Sequence, residues 1–126
     1  MRQATSRQTR PVQGRVLSSA FVRAGRFLGV PQAELAAVIG VSGATLSRLA
    51  NRQKQLDSGS KAWQLAALFV RLFRSLDAIV GSDDVAARAW LRAENAALGG
   101  VPLELIREPA GLVRTVDYLD AARARI

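Results

Sequence analysis

Arg48, Asn51 and Arg52 carry side chains that read nucleic-acid bases: guanidinium groups pair with guanine, and a carboxamide pairs with adenine. Spacings of three and four residues put them on one side of a helix, with Thr45 and Ser47 placed to bond a base or a phosphate. Gln32 and Ser42 stand at expected helix starts, where backbone N–H groups and short polar side chains hold phosphates. Nothing comparable supports catalysis. The sequence has no histidine and no cysteine, which removes the imidazole base, the Ser–His–Asp triad, the His–Cys metal site and any disulfide. Asp83 and Asp84 are adjacent, but at a helix start, where acids cap and meet the macrodipole rather than exchange protons. No glycine-rich phosphate loop joins a strand to a helix, so a nucleotide-using enzyme is disfavoured. The expectation is a non-enzyme without metal or cofactor.

The charge distribution says where a polyanion would bind. Residues 1–61 hold ten Lys or Arg against Glu34 and Asp57, which accounts for the whole net charge of +8. Residues 62–126 balance eight Arg with eight acids. Cations gain affinity for DNA by releasing counterions, so only the first half suits a nucleic acid, and the neutral half needs another partner.

The elements that must position these residues read as helices throughout. Ala, Leu, Val and Arg dominate, and β-branched residues do not alternate. Residues 1–11, with Arg2, Arg7 and Arg10, are expected as a disordered basic arm, ahead of a helix that begins near Val12 to Arg15 and closes at Gly29. Acid-free, Arg- and Ser-bearing residues 1–29 also fit an organellar transit peptide, the weaker alternative. No stretch is apolar for long enough to span a membrane, and the expected location is the bacterial cytoplasm.

A helix-turn-helix domain is expected over residues 12–57. Counting from Gln32, Leu35 and Ala36 fill the fourth and fifth positions, Gly40 the ninth, Leu46 the fifteenth and Leu49 the eighteenth. Ala36 permits a close helix crossing, Gly40 closes the first helix, and Ser42 caps the second. An ordinary αα-corner would share much of this pattern, but the local positive charge favours DNA, with Gly43–Arg52 as the recognition helix. Gly43 and Ala44 offer little readout, so specificity should rely on more than one copy.

Residues 58–81 are expected to form a long connecting helix. Leu65, Phe69, Leu72, Leu76 and Ile79 make a heptad-like seam, and Ala66, Phe73 and Val80 make a second row. Two rows favour a homodimer through this helix or the one before it; a helix buried on all sides in one chain is the alternative. Residues 82–126 should form a small third domain: a helix with Trp90, a turn over Asn95–Gly100, a short helix from Pro102 and a last helix from Pro109.

That third segment carries the most specific pattern. Trp90-Leu91, Asn95, Ala97-Leu98-Gly99-Gly100 and Pro102-Leu103-Glu104-Leu105, following a helix-turn-helix half, resemble the Xre/MbcA/ParS antitoxins paired with RES-domain toxins. The resemblance covers about Val12 to Ile126, with the single residue Val101 between Gly100 and Pro102 as a departure. It implies an all-α antitoxin whose C-terminal domain blocks the NAD pocket of its toxin and whose helix-turn-helix binds the operon's own double-stranded promoter. Within that reading, Leu98, Gly99, Gly100, Leu112, Val116, Tyr118 and Leu119 are expected at the toxin, with Arg123 or Arg125 near its anionic-ligand pocket. Some of these must instead hold the domain together, and Trp90 is expected in the core. A stand-alone repressor with a C-terminal dimerisation domain is the alternative.

Overall fold

Helix ends fall where the punctuation residues stand in the computed structural model, which describes residues 2–126 and the side chains from Gln13 onward. Helices α1 (Arg2–Phe27), α2 (Gln32–Ile39) and α3 (Gly43–Ala50) form the N-terminal part. Helices α4 (Lys61–Ile79), α5 (Asp84–Arg92), α6 (Pro102–Leu105) and α7 (Pro109–Arg123) complete the chain, and no strand occurs among the described residues. Ser42, Ser60 and Asp83 cap α3, α4 and α5, each side chain accepting a backbone N–H from three residues on at 3.1 Å. Pro102 and Pro109 open α6 and α7 as first-turn prolines, where their missing N–H costs nothing.

The start of α1 departs from expectation. Its backbone is helical from Arg2, so the expected arm over residues 1–11 and the start near Val12–Arg15 are replaced by a longer helix. Gln, Ala and Arg are good helix formers, and extending a helix already fixed by packing needs no new nucleus. This outweighs Pro11, which deprives the interior of one bond. The side chains of Arg2, Arg7 and Arg10, expected near phosphates, lie outside the described residues.

Helix α4 is the axis. Leu65, Ala66, Phe69, Val70, Leu72 and Leu76 are buried, α1 and α2 lie against it on one side, and α7 lies along it on the other. Phe21 of α1 meets Phe69 edge-on with ring centres 5.4 Å apart. Leu112, Val116 and Leu119 of α7 enter the same continuous core. Each such side chain contributes roughly 1.5–3 kcal/mol by leaving water. The heptad-like seam is therefore intrachain packing, not a coiled coil; of its two rows only Phe73, Ile79 and Val80 are partly exposed. Both rows are apolar because α7 returns onto the helix, and Ser75 marks the return by donating to Asp120 at 2.7 Å. Asp120 also takes Arg71 at 2.6 Å.

Three arginines, two on α5 and one in the turn between α6 and α7, hold the earlier helices. Arg92 donates to the carbonyls of Leu28 at 3.1 Å and Gly29 at 2.7 Å, and Arg88 donates to that of Phe27 at 2.8 Å. They satisfy orphan carbonyls at the end of α1 and place cations where the macrodipole is negative. Arg107 holds Glu34 of α2 through two bonds of 2.8 and 2.6 Å.

Candidate functional site

The first surface is built by α2, α3 and the turn that follows. The chain bends by 109° between α2 and α3, within the range of about 90–120° typical of a helix-turn-helix. Gly40 adopts φ 71°, and the Gly40 and Val41 N–H groups close α2 onto Ala37 and Ala36 at 3.3 and 3.0 Å. Ala36, Leu46 and Leu49 are buried beneath the bend, as their spacing requires. This packing turns Arg48 fully outward and leaves Thr45 and Ser47 half-exposed beside it, while Gln32 is exposed at the start of α2.

Two expectations change here. Helix α3 ends at Ala50, so Asn51 and Arg52 belong to its closing turn rather than to a recognition helix running to residue 52. The closure is made by Arg52 itself, at φ 61°, with the Arg52 and Gln53 N–H groups returning to Leu49 and Arg48 at 3.2 and 2.8 Å. This is a glycine's role, and a non-glycine residue held there costs on the order of 1 kcal/mol. Ser42 is also partly committed: its hydroxyl accepts the Thr45 N–H and donates to the Thr45 hydroxyl at 3.1 Å.

Electrostatically the surface is unopposed. Arg15, Arg23, Arg26, Arg48, Arg52 and Lys54 form no ion pair among the described residues. Glu34, the acid nearest the start of α2, is covered by Arg107, whose guanidinium is held above its ordinary pKa range by the hydrogen bonds and then the charge of Glu34.

The second surface comes from α5, α7 and the loop between α5 and α6. Asn95 closes this loop: its N–H and carbonyl pair with Gly100 at 2.9 and 3.2 Å, and its side chain accepts the Leu98 N–H at 3.1 Å. Leu98 plugs inward and is buried, and Arg114 donates to its carbonyl at 3.2 Å. Val101, the departure noted in the sequence, precedes α6 in extended conformation and lets Pro102 start the helix at once.

Four residues expected at a partner are therefore core. Leu98, Leu112, Val116 and Leu119 are each at most 4% exposed. The last three follow i, i+4, i+7, the row that must face α4. Gly99, Arg123 and Arg125 are exposed, Gly100 is half-buried against Leu105, and Tyr118 is half-buried. Tyr118 stacks on Trp90 at 6.3 Å with rings 21° apart, and both are half-buried against the edge of the core, so Trp90 packs with the core as expected without being fully enclosed. Val113 and Val85, which no motif marks, are 42% and 70% exposed. Val113 is legible in retrospect, since it sits one residue, or about 100°, off the buried row of α7.

Residues 7–71 match the family model of the antitoxin Xre-like helix-turn-helix domain. Residues 75–125 match that of the antitoxin Xre/MbcA/ParS C-terminal toxin-binding domain. The two matches meet inside α4, the helix both bundles share. No curated protein matches the chain.

Proposed function

The chain belongs to the Xre-like antitoxins, and on that footing we propose that it silences a RES-domain, NAD-consuming toxin and represses its own operon. Its helix-turn-helix and toxin-binding domains are not enzymatic. The observation that carries the division of labour is the separation of the two surfaces: uncompensated cations on α1–α3 and the turn after α3, and the exposed Val85 and Val113 with the half-buried Trp90–Tyr118 pair on α5 and α7. The resemblance of the Trp90–Leu105 block to antitoxins paired with RES toxins supports that toxin class. The toxin would seat on Trp90, Tyr118, Val113 and Gly99, bordered by Arg123 and Arg125, an aromatic anchor with a polar rim.

At the promoter, Arg48 reads bases from the outer side of α3 and Asn51 from its closing turn, with Thr45, Ser47, Gln32 and Ser42 on phosphates or base edges. A homodimer would use α1 rather than α4. Val16 and Phe27 are 65% and 54% exposed, and their eleven-residue spacing places them on one face of the helix.

One co-expression experiment tests both halves. Arg48→Ala with Asn51→Ala should weaken operator binding by about 1–3 kcal/mol per lost base contact while cellular NAD stays protected. Val113→Asp with Arg123→Glu and Arg125→Glu should do the reverse, freeing the toxin while the operator stays occupied. Absence of a complex with the product of the neighbouring gene, or an NAD level indifferent to that gene, refutes the RES assignment.

A further inference from the structure

We propose that a groove between α1 and the turn after α3 is a second seat for the DNA sugar-phosphate backbone, distinct from the base-reading side of α3; it rests on the promoter-binding reading above. The groove encloses about 440 Å³ and is walled by Arg15 on one side and Arg52, Gln53 and Lys54 on the other, over Leu49. A smaller hollow continues it along α1 to Arg23 and Arg26, with Arg52 bordering both. Arg15, Ser19, Val22 and Arg26 follow i, i+4, i+7 and i+11, a single strip of α1.

The far wall is pinned. Ser18, buried, donates to the Gly14 carbonyl at 2.6 Å and accepts the Leu56 N–H at 2.9 Å, so the turn bearing Arg52 and Lys54 is tied to α1. The Leu56 carbonyl packs directly over Gly14, where any side chain would displace it. Arg52 keeps a left-handed backbone that glycine would adopt without strain. The tie of this turn to α1 holds that backbone in place, and a glycine there would relieve the strain but forfeit the cation.

The chemistry selects the ligand. Five cations, Arg15, Arg23, Arg26, Arg52 and Lys54, border the groove with no acid among its lining residues. A mononucleotide would need a ring to stack its base, and the lining offers only Leu49, Val22 and Ala50 as apolar surface. From Arg15 to Arg26 the helix rises about 16 Å, against one phosphate per roughly 3.4 Å of axis on one DNA strand. A run of phosphates fits that strip, and a single anion does not fill it.

Arg15→Gln, Arg23→Gln and Arg26→Gln together, in the full-length protein, test the assignment on a promoter duplex and an unrelated duplex. Losing about three phosphate contacts should flatten the log-affinity against log-salt slope by about 2.7 on both duplexes. The affinity gap to the parent should therefore change roughly 40-fold between about 50 and 200 mM salt. Lys54→Gln alone should flatten the slope by about 0.9, and guards against a folding defect in the triple variant; a thermal melt and toxin capture should match the parent. An unchanged slope with intact operator affinity overturns the groove and leaves the promoter reading standing, as does a loss confined to the operator sequence. If the parent retains neither duplex at low salt, the promoter reading falls and the groove with it.

Discussion

Two glycine-to-alanine substitutions in helices should move stability in opposite directions, and the structure fixes which goes which way. Ordinarily the change stabilises a helix by about 0.5–1 kcal/mol, since alanine loses less conformational freedom. At Gly43, in the first turn of α3, a methyl group would meet nothing within 4 Å. Gly43→Ala should therefore gain a few tenths of a kcal/mol. At Gly14 the methyl would meet the backbone oxygen of Leu56, which has no rotamer by which to withdraw. Overpacking of this kind costs about 1–3 kcal/mol, and moving the turn sacrifices the Leu56 N–H to Ser18 bond, worth about 1 kcal/mol. After the gain in propensity, Gly14→Ala should be destabilised by about 1–3 kcal/mol. That corresponds to a melting point lower by roughly 3–10 °C for a chain of this size. Thermal melts and guanidinium midpoints at constant m would measure it. A Gly14→Ala protein as stable as its parent would show that the turn does not rest on α1, and the groove would lose a wall.

Two further substitutions test how the halves support each other. Arg107→Ala uncovers the Glu34 carboxylate beside the start of α2, and operator affinity should fall by no more than about fivefold, less at high salt. An unchanged affinity would show that Glu34 does not face the DNA. Gly111→Ala sets a methyl against the Leu105 carbonyl, where α7 passes α6, and should cost about 1–3 kcal/mol. Toxin capture should weaken in step with the melt; full capture by a protein melting well below its parent would separate the toxin surface from this junction.

Most helix boundaries are legible because each rests on one residue's local chemistry. Gly40, Ser42, Ser60, Asp83, Pro102 and Pro109 mark ends or starts by conformational freedom, a side-chain acceptor or a missing N–H, whatever surrounds them. The two boundaries that shifted lack that support. Helix α1 runs through Pro11 because helix on its C-terminal side is fixed by packing, and propagation is cheaper than nucleation. Helix α3 stops at Ala50 although no glycine follows, because Arg52 takes the left-handed position.

The partner surface was harder to read for a different reason. A row at i, i+3, i+4 and i+7 shows that one face of α7 is buried, but not whether α4 or another protein buries it. Only the return of α7 onto α4, across residues as distant as Ser75 and Asp120, decides for the core. The motif misleads in the same way. Asn95 and Leu98 stand out because a tight loop needs an acceptor at its start and an apolar plug at its end. The proposed docking face needs only accessible apolar area and a ring or two, which Val113 and Tyr118 of α7 and Trp90 of α5 would supply. Loop closure leaves a contiguous signature in the chain, whereas the surface it supports is assembled from residues that share no spacing, so the tertiary packing has to be known before that surface can be found.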